Sequence, residues 1–181
     1  MSEGDRQQRR PRVLIADDLT LVAAGTRALL EPECEVIGVV ADGRMLIRWA
    51  ETMRPDIIVM EVLLPLLNGL DALRHLARNV PESKIVFLTT QASSRHVAEA
   101  FKAGALAYVL KRSQPSELIQ TIHAVLIGQW YLTPLIAQHV VRNEAKGTQS
   151  KQGSPALFSL TPRQREVLQL IAEGRGTKEV A

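Results

Sequence analysis

The chain holds a single cysteine, Cys34, among 181 residues, so an internal disulfide is excluded. That usage suits a reducing compartment, and a cytoplasmic protein is the expectation. Long apolar runs are also missing. Those present are short and interrupted, well below the ~20 residues needed to cross a bilayer, which predicts a soluble protein with no membrane partner. The first twelve residues are polar and carry Arg6, Arg9, Arg10 and Arg12 without an apolar core, which excludes a secretory signal. Internal repeats are absent. Charge is nearly balanced: the net value of +3 is compatible with nucleic acid but too small to argue for it. The arginine tail reads as a solvated end rather than a phosphate-binding arm. Apolar residues, by contrast, make up 46% of the chain, enough for a real core in one domain of ordinary size plus a smaller piece.

Short β-rich apolar runs alternate with helical patterns. Strands are predicted over Arg12–Ala16, Glu35–Val40, Ile57–Val62, Lys84–Thr89 and Ala107–Leu110. The first helix is marked by Leu21, Val22, Gly25 and Leu29. The second covers Met45–Met53, with Leu46, Trp49 and Ala50 inward, and Pro55 ends it. The next covers Leu70–Asn79, with Leu70, Leu73 and Leu76 on one face. The last two are Ser94–Ala103, closed by Gly104, and Ser116–Ile127, closed by Gly128. Strand-helix alternation implies an α/β fold with a doubly wound, five-stranded parallel sheet, whose ligand site lies at the carboxyl ends of the strands. A further helix over Pro134–Asn143 is expected. Residues Glu144–Pro155 hold no large apolar side chain and read as a linker.

Charged residues gather at one end of this topology. Asp17 and Asp18 follow the first strand, Glu61 closes the third, Thr89 ends the fourth and Lys111 follows the fifth. Taken singly, an Asp-Asp pair is a turn or cap and a lysine after a strand is a solvated charge. The combination is what points to chemistry. Crowded carboxylates call for a cation, and a hard divalent ion such as Mg²⁺ prefers oxygen ligands. A metal, a lysine and a threonine hydroxyl together suit phosphoryl handling.

These segments carry a resemblance. Val13-Leu14-Ile15-Ala16-Asp17-Asp18, Pro55-Asp56-Ile57-Ile58-Val59-Met60-Glu61, Pro65-Leu66-Leu67-Asn68-Gly69, Leu88-Thr89, Gly104-Ala105 and Tyr108-Val109-Leu110-Lys111 resemble the receiver domain of response regulators, from Pro11 to about Pro134. Gly128-Gln129-Trp130-Tyr131-Leu132-Thr133-Pro134 further resembles the LuxR/FixJ-type (NarL-like) subgroup. The resemblance implies a flavodoxin-like receiver fold, with Mg²⁺ at Asp17, Asp18 and Glu61. It also implies that Thr89 and Tyr108 are switch residues and that Lys111 contacts the phosphoryl group. One position departs from the pattern: Glu61 stands where the family has its phosphoacceptor aspartate. Its side chain is one methylene longer, and in-line transfer loses about 100-fold for errors near 1 Å, so weak or absent phosphorylation is expected. Two consequences stay open. Glu61 partly mimics the phosphorylated state, with one charge against about −1.5 to −2 for a phosphate, or the domain works as a constitutive dimerisation or protein-docking module.

Beyond the linker, Thr161 is a good N-cap, Pro162 suits the first helical position, Gln164 completes a capping box, and Val167, Leu168, Leu170 and Ile171 form an apolar face. This segment resembles the opening of a LuxR-type helix-turn-helix, without the recognition helix that enters the major groove. The layout expected is a basic tail (1–11), a receiver (12–133), a linker (134–156) and an incomplete helix-turn-helix domain (157–181). The function implied is an atypical two-component response regulator in transcriptional control. A homodimer and a sensor histidine kinase are the partners implied, with DNA only if the full-length protein carries the missing helix. A metal-dependent phosphatase is the enzyme reading, and no second nucleophile or acid motif supports it, so no enzyme is expected.

Overall fold

The computed structural model describes residues 9–137. Within them run β1 (Arg12–Ala16), α1 (Thr20–Leu30), β2 (Glu35–Val40), α2 (Gly43–Met53), β3 (Ile57–Met60), α3 (Gly69–Asn79), β4 (Lys84–Thr89), α4 (Ser94–Lys102), β5 (Ala107–Leu110), α5 (Pro115–Leu126) and β6 (Tyr131–Leu132). The strand order is β2-β1-β3-β4-β5-β6. Strand order reversing after β1 is the mark of the flavodoxin-like, doubly wound α/β fold. Among the described residues the expected five-stranded sheet is corrected to six strands. At two residues, β6 is too short to show any period in the sequence. The third strand also stops at Met60, two residues short of the expected Val62. Arg6, the expected helix beyond residue 137, the linker and the helix-turn-helix residues lie outside the described residues.

The chain divides into two compact units between Ile85 and Val86. In the first, β1 is central and pairs in parallel with β2 and β3, with Ala16 opposite both Val40 and Met60. Residues 13–16 and 57–60 are at most 1% exposed, as strands covered on both faces must be. Helix α2 begins at Gly43, earlier than expected, because the Asp42 carboxylate accepts the Met45 N–H at 2.8 Å and caps it. A Cβ at Gly43 would collide with the Leu67 carbonyl, so that loop can lie directly on the helix start. Trp49 is half-buried and lies over Gly38, where a Cβ would strike the indole. Helix α1 buries Ala23, Thr26 and Leu30, while Leu21 is 86% exposed. Apolar and small residues surround that helix, so spacing alone does not select its buried face.

Where the arginine tail is described, Arg9 and Arg10 are exposed, and their guanidinium groups also bond to the first unit. Arg9 reaches both Asp56 oxygens at 3.0 Å. Arg10 donates to the Cys34 carbonyl at 2.6 Å, and Arg12 to the Met53 carbonyl at 2.7 Å. Met53 is the last residue of α2, where a cation meets the negative end of the helix dipole. Cys34 is 1% exposed, and burial, with Glu33 adding, pushes its thiol up from the usual range.

In the second unit β4, β5 and β6 are parallel, with Phe87 opposite Tyr108 and Tyr108 opposite Leu132. Helix α4 buries Val97, Ala98, Ala100 and Phe101, and α5 buries Leu118, Thr121, Ile122 and Val125. Gly104 (φ 108°) and Gly128 (φ 78°) take the left-handed turns after these helices. The chain then returns: Trp130 stacks on Phe101 with ring centroids 6.0 Å apart, and residues 134–137 are helical.

Candidate functional site

The carboxylates belong to the first unit. Asp17 is 5% exposed and follows β1 directly; its N–H donates to the Val40 carbonyl at 3.0 Å, and its Oδ1 accepts the Leu19 N–H at 3.0 Å. Asp18, next in the chain, is exposed. The Glu61 N–H donates to the Ala16 carbonyl at 2.9 Å, which continues the β1–β3 ladder one step past the strand. Asp17 and Glu61 therefore leave neighbouring strands side by side. Glu61 is 5% exposed, and its Oε1 accepts the Val62 N–H at 2.6 Å and the Leu63 N–H at 3.3 Å. The longer side chain has turned back on its own loop. Bonds of this charge-assisted kind contribute about 1.5–3 kcal/mol.

Whether these residues suit a hard cation follows from the donor set. Among the described residues no group of three or more histidine, cysteine, aspartate or glutamate side chains is placed to hold a metal ion. Mg²⁺, however, is commonly held by one or two carboxylates, with water completing the shell. Asp17 and Asp18 fit that smaller set, while Glu61 commits one oxygen to backbone N–H groups.

The loop after Glu61 is fixed by main-chain bonds. Pro65 accepts from Gly43 at 3.1 Å, and Val62 accepts from Gly69 at 2.7 Å. Asn68 then caps α3 through the Asp71 N–H at 3.0 Å. Leu66 within this loop has φ 63° and is 69% exposed.

The second unit brings Thr89, Tyr108 and Lys111 together. Thr89 and Tyr108 are both 0% exposed. The Lys111 N–H donates to the Thr89 carbonyl at 2.9 Å, and the lysine itself is half-buried. The Thr89 hydroxyl accepts the Gln91 N–H at 3.1 Å, and the Tyr108 hydroxyl donates to the Gln91 carbonyl at 2.9 Å. One backbone segment at Gln91 thus holds both side chains expected to switch. Gln91 was not legible in the sequence, because it acts through main-chain atoms that every residue carries. In the sequence Thr133 stands out only within a motif, yet its hydroxyl accepts the Leu110 N–H at 3.1 Å, one residue before Lys111.

Comparison with known proteins agrees with this architecture. The response regulator receiver domain family matches residues 13–123. The transcriptional regulatory protein LiaR of Bacillus subtilis is 35% identical over 171 residues, 93% of this chain and 80% of that protein. The nitrate/nitrite response regulator protein NarL of Escherichia coli is 30% identical over 175 residues, 93% of this chain and 78% of that one. Among solved structures, a two-component response regulator of the LuxR family from Aurantimonas superposes with a TM-score of 0.71 at 35% identity, covering 75% of this chain and 98% of that one. The strand order, the site residues at strand ends and these relatives lead to one assignment: the chain belongs to the LuxR/NarL family of two-component transcriptional response regulators, with a response regulator receiver domain.

Proposed function

We propose that this receiver is atypical and transmits its state with little or no phosphorylation. The observation that supports this is Glu61, whose Oε1 is engaged by the N–H groups of Val62 and Leu63 at 2.6 and 3.3 Å. A carboxylate held by its own loop is poorly set for in-line attack on a phosphodonor. Receiver domains of this family bind Mg²⁺ at an acidic pocket; here Asp17 and Asp18 would hold it, with water completing the shell and Glu61 turned to its own loop. The ion would neutralise phosphoryl oxygens. Lys111 is the phosphoryl-contact residue, and Thr89 and Tyr108 are the switch residues.

The layout is a receiver over 12–133, a linker and a helix-turn-helix segment from 157. Response regulators of this type work with sensor kinases, and the chain is a signalling protein rather than an enzyme. A homodimer through α4, β5 and α5 would use helix side chains, since the outer edge of β5 is paired with β6. The test is intact mass after incubation with Mg²⁺ and acetyl phosphate. No adduct is expected on the wild-type chain. A stoichiometric phosphate on Glu61 would overturn the proposal.

A further inference from the structure

The chain after α5 runs parallel to β5 and bonds to it at every second residue. The Tyr131 N–H donates to the Leu106 carbonyl at 2.9 Å, and the Thr133 N–H to the Tyr108 carbonyl at 3.1 Å. A continuing strand would next have offered a main-chain carbonyl to the Leu110 N–H. The chain cannot continue, because Pro134 opens a helical turn in which the Thr133 carbonyl accepts from Ile136 at 2.9 Å and Ala137 at 3.2 Å. The Thr133 hydroxyl fills the gap: it accepts the Leu110 N–H at 3.1 Å and stands 3.4 Å from the Tyr108 carbonyl and 3.5 Å from the Ser113 hydroxyl. Leu110 and Thr133 are 1% and 3% exposed, and Ile136 and Ala137 are 0% exposed. Water therefore has no access to replace the hydroxyl.

From this we infer that Thr133 is a positioning residue for Lys111. It fixes the last hydrogen bond of β5, and so where Lys111 leaves the sheet, and the same residue starts the helical turn that follows. A displacement at Lys111 is felt at once by the outgoing chain, and the reverse holds by linkage. The inference rests on the reading of Lys111 as the phosphoryl-contact residue only for what is sensed; the mechanical tie stands on the hydrogen bonds.

The test compares amide hydrogen exchange in the wild-type chain, Thr133→Val and Thr133→Ser. The valine keeps the shape but leaves the Leu110 N–H without an acceptor. Exchange at Leu110, Lys111, Ile136 and Ala137 is expected to rise at least about 10-fold together in Thr133→Val, with β1 and β3 amides unchanged and serine restoring the wild-type pattern. Should valine prevent folding, Thr133→Cys, a weaker acceptor, supplies a milder loss. Unchanged exchange at Lys111, or an equal rise at every amide, would overturn the inference. A second arm uses Glu61→Asp with acetyl phosphate and Mg²⁺. If an adduct forms, adding Thr133→Val should lower its yield several-fold, and an unaltered yield counts against Thr133. If no adduct forms, the phosphoryl reading of Lys111 fails, and the exchange result alone decides the role of Thr133.

Discussion

At the scale of single residues, a methylene at Glu61 and a dihedral angle at Leu66 have consequences out of proportion to their size. Glu61→Asp shortens the side chain and withdraws the carboxylate from the Val62 N–H, so this variant should form a phosphate adduct with acetyl phosphate where the wild-type chain does not; intact mass decides. Glu61→Gln separates the two readings of the native residue. If its charge imitates a phosphate, dimerisation measured by light scattering should fall; if the domain is constitutive, it should stay. Leu66 has φ 63° and is 69% exposed, so it carries left-handed strain that no burial offsets. Leu66→Gly should stabilise the fold by about 0.5–1 kcal/mol in urea unfolding, after glycine's greater unfolded-state freedom is subtracted. The strand-end positions of Asp17, Asp18, Glu61, Thr89 and Lys111 are legible because each is a polar side chain at the end of an apolar strand. Leu66 was not, since a leucine in a loop gives no sign of its φ.

At the scale of elements, helix starts and the return strand are where sequence and structure part. Asp42 caps α2 through the Met45 N–H at 2.8 Å, so Asp42→Ala should cost about 1 kcal/mol by thermal or urea unfolding. Aspartate before glycine also reads as a turn, which is why the sequence predicts a helix start at Met45. The five long strands were readable from their apolar runs. The short β6 was not, because its existence depends on the free edge of β5 rather than on its own pattern. Tyr131 within β6 gives that element a pH dependence. Burial first, then the charge of Glu117 and a hydrogen bond to it, push the Tyr131 phenol well above its ordinary value of 10.0. The folded state thus keeps this proton at a pH where the unfolded chain releases it. The stability it contributes is complete below pH 10.0 and declines as pH rises from there toward the raised folded value. Tyr131→Phe should flatten that decline in unfolding curves measured across the alkaline range.

At the scale of the molecule, the alternation of strands and helices was enough to reach the α/β architecture, because each parallel strand must be apolar on both faces and each helix on one. The division between Ile85 and Val86 was not legible, since it falls inside β4, in an uninterrupted apolar run. Ending the chain after Ile127 would remove Trp130 from Phe101 and β6 from β5. An unpaired strand edge invites pairing with another chain, so this truncation should elute as larger species in size-exclusion chromatography. Cys34 offers a different use of the same packing. It is the only thiol in the chain, 1% exposed, with its carbonyl held by Arg10 and its ionisation suppressed by burial. A thiol reagent therefore reacts only when the first unit opens, and its labelling rate is a clock for that opening, native to the sequence and requiring no added probe.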